Sequence, residues 1–89
     1  MLKITKVQES GRDVLLKLEG KIAEQWAALL DGECRAYLRK KKAVYLDCSR
    51  VEYIDERGVE VLNAMPQADV MLISVPVLMT ELLQIGGRS

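Results

Sequence analysis

Hydrophobic positions alternate with polar ones at the start of the chain and then change period, and that change divides the sequence into elements. Leu2, Ile4 and Val7 give a loose alternation. Glu9-Ser10-Gly11-Arg12-Asp13 reads as a turn, because its small and polar residues favour chain reversal. Val14, Leu16 and Leu18 then alternate with Leu15, Lys17 and Glu19, which predicts a second strand ending at Gly20. The short linker implies that these two strands pair as a hairpin.

From Ile22 the period becomes helical. Ile22, Trp26, Leu29, Leu30, Cys34, Tyr37 and Leu38 form one stripe of an amphipathic helix, with Gly32 lying off it. Trp26 is read as core on this stripe. Arg39-Lys40-Lys41-Lys42 closes the helix, where positive charge is favourable against the macrodipole. The run reads first as a solvated helix end and second as a phosphate- or lipid-binding patch.

Residues 43–47 (AVYLD) are almost continuously apolar, as expected of an interior strand covered on both faces. Residues 49–53 read as a connection. Asp55 suits an N-cap, and Glu56 places negative charge in the first helical turn. Val59, Leu62 and Met65 make the inner face of a short helix that Pro66 and Gln67-Ala68-Asp69 end. Residues 70–75 (VMLISV) predict a second fully buried strand. Pro76 suits the first turn of a third helix, with Leu78, Met79, Leu82, Leu83 and Ile85 as its buried face and Gly86-Gly87 closing it. The order is β-β-α-β-α-β-α, an α/β domain with a mixed, mostly parallel sheet of about four strands and three helices.

Composition narrows the function. Eighty-nine residues, residues 1–89, make one domain, and 49% hydrophobic residues supply one core without a deep enzyme cleft as well. Lys+Arg and Asp+Glu balance at 13 each, which argues against a dedicated nucleic-acid binder. There is no His, the commonest general base and metal ligand. Cys34 and Cys48 are too far apart for a metal or redox motif and read as small buried hydrophobes. No secretory signal is visible and the apolar runs are too short to span a bilayer, so a soluble, cytoplasmic location without membrane insertion is expected. No glycine-rich phosphate loop or Lys-Ser/Thr pair occurs, and Asp47 and Asp55 are the only carboxylates expected near one another. The expectation is a non-enzyme with no cofactor and no metal.

Leu18-Glu19-Gly20 precede the long helix, Val44-Tyr45-Leu46-Asp47 follow it, and Cys48-Ser49-Arg50-Val51-Glu52-Tyr53-Ile54-Asp55 lead on to Gly58 and Leu62. In this order these segments resemble a STAS domain, the module of sulfate transporters and anti-sigma factor antagonists. Residues 70–75 and Leu82-Leu83-Gln84-Ile85-Gly86-Gly87 fit the family's closing strand and helix. The resemblance implies a protein-interaction module used in transcription regulation or signalling, with its partner surface at Asp55, Glu56, Arg57 and Gly58. In anti-sigma factor antagonists the serine directly before this glycine is phosphorylated; Arg57 stands there and Glu56 precedes it, so neither accepts phosphate. Ser49, Ser74 and Thr80 remain as acceptors, each also read as a turn or helix-flank residue.

The resemblance implies as partner an anti-sigma factor of the serine-kinase type, with a transporter ATPase braced by a small STAS subunit as the alternative. A small anion- or nucleotide-binding regulatory domain is a third reading, because a helix N-terminus suits an anion. The face carrying Leu78, Met79, Leu82 and Leu83 is a candidate for a partner groove or a homodimer.

Overall fold

In a computed structural model, which describes residues 1–83, the elements are β1 (Leu2–Glu9), β2 (Asp13–Ile22), α1 (Gln25–Arg39), β3 (Ala43–Ile54), α2 (Glu56–Ala64), β4 (Val70–Ile73) and α3 (Val77–Leu82). The four strands form one sheet in the order β1-β2-β3-β4. β1 pairs antiparallel with β2 through the tight turn, where Ser10 Oγ accepts from the Arg12 and Asp13 N–H groups. β2–β3 and β3–β4 are parallel, with α1 and α2 as the crossovers that parallel neighbours require. The predicted order and sheet type are those observed.

Alternation along β2 sends Val14, Leu16 and Leu18 to one face, where they meet Val44, Leu46 and Cys48 of β3. Ala27, Leu30 and Cys34 of α1, Leu62 of α2 and Met79 of α3 close over the same face. Cys34 and Cys48 are free and buried, and burial pushes both thiols up to about 12. They serve as small apolar packing groups.

Five expectations need correction. First, β3 and β4 are covered on one face rather than both. Tyr45 is 36% exposed and Ile73 38% exposed, pointing away from the helices, with Leu15 and Met71 half-buried beside them. Second, residues 49–53 are strand, not connection. Register shifts against β2 at Lys17/Glu19 and Gly20/Lys21 stretch the buried spacing from Val44, Leu46 and Cys48 to Val51 and Ile54. A spacing of three is not a strand period, which hides this half of β3 in the sequence.

Third, Ile22 belongs to β2, and α1 begins only at Gln25. Leu29, on the predicted inner stripe, is 45% exposed, while Ala27 takes an inward position. Fourth, a bulge between Lys6 and Gln8 rotates Val7 out to solvent. Fifth, Leu78 and Leu82 of α3 are exposed, leaving Met79 as its buried residue, with Leu83 buried just past its end. The expectations for Ile85, Gly86 and Gly87 lie outside the described residues.

α1 ends in a left-handed cap: Lys41 has φ 65°, its N–H donates to the Leu38 carbonyl, and the Lys42 N–H donates to the Tyr37 carbonyl. No helix among the described residues is long and apolar enough to cross a membrane.

Candidate functional site

The sheet ends where β3 runs into α2, and one carboxylate organises the junction. Asp55 is in extended conformation (φ −98°, ψ −177°) and caps α2, its Oδ1 accepting from the Gly58 N–H at 2.8 Å. Its other oxygen, Oδ2, accepts from the backbone N–H of Glu24 at 3.0 Å. Its own N–H donates to the Ile22 carbonyl at 3.2 Å. Asp55 therefore ties the β2–α1 turn to the α2 N-terminus. The Gly58 hydrogen bond, with those of Glu24 and the nearby Arg57, holds this carboxyl below its ordinary range.

The turn it holds is strained. Trp26 N–H donates to the Ala23 carbonyl at 2.9 Å, and Glu24 occupies the second position at φ 53°, ψ −132°. That is the first central position of a type II′ turn, which glycine dominates. Glu24→Gly is expected to raise stability by about 1 kcal/mol, read as a higher urea midpoint with unchanged slope. A lower midpoint would show that the Glu24 side chain supplies more than the strain removes.

Gly58 sits where no other residue fits. A Cβ there would lie 2.3 Å from the Ile22 carbonyl oxygen and 2.7 Å from Ile54 Cγ1. Its lack of a side chain lets the first turn of α2 rest directly on the end of β2. This places Glu56 and Arg57, both exposed, on the rim of an open depression completed by Glu24, Gln25 and Asp55. A second depression, lined by Met1, Lys21, Ala23, Glu24, Trp26 and Tyr53, meets it at the Glu24 turn.

The structure brings all four sequence-nominated residues together, but in two roles: Asp55 and Gly58 build the junction, and Glu56 and Arg57 are presented by it. Sequence reasoning missed Glu24, Gln25 and Tyr53. Starting α1 at Ile22 hid the turn inside a helix, and a glutamate at a glycine-type position gives no signal. Tyr53, 48% exposed, falls in the stretch whose pattern reads as a connection. Asp47 is not a partner of Asp55. It lies within β3, eight residues earlier, roughly 25 Å away along an extended strand, and its carboxylate accepts from the Ser49 N–H.

Among the described residues no group of three or more His, Cys, Asp or Glu side chains could hold a metal ion. At the α2 N-terminus the Gly58 N–H is already taken by Asp55, and Glu56 adds a second carboxylate, so an incoming anion meets like charge.

Comparison with known proteins identifies the fold and the family. Among solved structures, the anti-sigma factor antagonist SpoIIAA in its unphosphorylated form has the same fold, with a TM-score of 0.74 at 13% identity over 94% of this chain and 84% of that one. None of the curated proteins matches. A family model described as "Mlab, STAS domain" matches residues 5–88, nearly the whole length, and the chain belongs to the STAS-domain family.

Proposed function

We propose that this STAS domain is a non-enzymatic interaction module that binds a regulatory protein partner through the junction at residues 55–58, as an anti-sigma factor antagonist does. The observation that carries this reading is the Asp55 bridge. Both oxygens of one carboxylate fix two loops, and the exposed Glu56–Arg57 pair rides on the platform they form. A surface already ordered before binding loses less entropy on association.

Arg57 takes the place at which antagonists of this family carry the phosphorylated serine. Phosphate there would add nearly two negative charges and break an interface by repulsion. Arg57 holds a fixed positive charge, so this surface has no such toggle. That favours the second reading, a subunit permanently braced against a transporter ATPase. An anion- or nucleotide-binding role is less well supported, because the helix N-terminus is capped internally and flanked by Glu56.

Affinity capture from native lysate, with identification of the captured protein, tests both. A Glu56→Lys/Arg57→Glu variant keeps net charge and should keep its urea stability within about 1 kcal/mol. It is expected to lose capture of the partner at least about tenfold, because complementary contacts become like-charge contacts. A kinase-type anti-sigma factor lost in the variant supports the antagonist, and an ATPase lost in the variant supports the transporter subunit. Equal capture by both forms removes the junction as the binding surface.

A further inference from the structure

The chain's zero net charge conceals a local excess of cations at one end. At the end opposite the Asp55 junction, the β1–β2 turn and the end of α1 come together, joined by the Ala43 N–H donating to the Arg12 carbonyl at 2.9 Å. Arg12, Lys41 and Lys42 line one depression there with Leu38, Ala43 and Asp69. Lys42 and Lys6 are both satisfied by Glu9, at 2.6 Å and 2.9 Å. The hydrogen bonds from Lys42 and Lys6, with their charge, lower the Glu9 carboxyl to about 2.

Arg12, Arg39, Lys40 and Lys41 are different. All four are exposed, and none makes an ion pair among the described residues. Lys40 instead lies 5.8 Å from the centroid of the Tyr37 ring. The remaining carboxylates at this end, Asp13 and Asp69, leave the cations in excess, with Asp13 already accepting from the Ser10 hydroxyl. The α1 macrodipole accounts for Arg39 and Lys40, but its influence does not explain Arg12, which comes from another segment.

We propose that this basic end docks the domain on an anionic membrane surface, with the junction at residues 55–58 facing away. Screening is what allows a neutral protein to do this. The Debye length at physiological salt is about 8 Å, whereas the molecule extends up to 32 Å. A charged plane therefore attracts the near cations, while the far end, where Glu24, Glu52, Asp55 and Glu56 are mixed with Lys21, Arg50 and Arg57, is largely screened from it. A planar partner also fits the layout: the four cations cap one end of the molecule rather than lining a track, as a nucleic-acid strand would need. The interaction is peripheral, with the cations on headgroup phosphates and no apolar insertion. Four cations give a weak affinity, in the millimolar range of accessible lipid. The proposal is independent of which protein occupies the junction.

The test is co-sedimentation of the full chain with vesicles of phosphatidylcholine plus phosphatidylglycerol, against phosphatidylcholine alone. Binding is expected to the mixed vesicles only and to disappear as salt is raised. Lys40→Gln/Lys41→Gln should weaken it about 25-fold, about fivefold for each cation removed. Lys21→Gln/Arg50→Gln makes the same change in net charge at the opposite end and should leave binding unaltered. Equal losses in the two variants would overturn the oriented docking. Absence of wild-type sedimentation with the mixed vesicles, or binding to a DNA oligonucleotide at salt where vesicles are not bound, would overturn the membrane assignment.

Discussion

Replacing Gly58 by alanine is expected to cost about 3 kcal/mol, at the upper end of what overpacking usually costs. The direction is diagnostic because helix propensity alone predicts the opposite. In an unobstructed helix, alanine is more favourable than glycine by about 1 kcal/mol. Here the new methyl would sit 2.3 Å from the Ile22 carbonyl oxygen, so a backbone atom rather than a flexible side chain must move. That carbonyl also accepts from the Asp55 N–H, and shifting it disturbs the bridge that holds the Glu24 turn. Gly32 provides the control. It lies mid-way in α1 with nothing within 4 Å of its would-be Cβ, and Gly32→Ala should stabilise by about 1 kcal/mol. Urea unfolding of the two variants reads both signs. A domain of this size has roughly 4–13 kcal/mol in total, so the Gly58 variant loses a large share. If Gly58→Ala also proves stabilising, α2 does not rest on β2 as described.

Gly58 also marks how much of the site the sequence revealed. Asp55 and Gly58 were legible because capping and close approach are local demands that few residue types meet. Glu24 was not, because its position follows from where a carboxylate thirty-one residues later happens to reach. The same division holds for the fold. β2 was readable since one face is buried and one is not, and the alternation of Val14, Leu16 and Leu18 records that directly. The second half of β3 was hidden because its register shifts moved the inward positions to Val51 and Ile54. The helical stripe coincides with α1 along most of its length, yet the apolar Ile22 ahead of it extends the apparent stripe backwards across a turn. In each failure a long-range contact decided a backbone geometry that local pattern could not specify.

The apolar runs in β3 and β4 raise a different problem, and two neighbouring residues resolve it experimentally. Leu46→Ala is expected to destabilise by about 3 kcal/mol, within the range for truncating a fully buried leucine. Leu46 is wholly inaccessible to solvent and lies between Leu16 and Leu72 on the helix-covered face. Tyr45→Ala, one residue earlier and on the opposite face, should cost about 1 kcal/mol or less. It removes cross-strand contact with Leu15 and Met71 but leaves no cavity, because the ring is already partly in water. Continuous hydrophobicity in parallel strands ordinarily signals cover on both faces, so the sequence alone predicts equal losses. The structure predicts a difference of about 2 kcal/mol, measurable by urea unfolding. Should Tyr45→Ala cost as much as Leu46→Ala, and should that cost grow with protein concentration, the open face is buried in an assembly of copies. A small, concentration-independent effect means that the domain tolerates its second apolar face in water, with the charged Lys17 and Asp47 beside that row to keep it soluble.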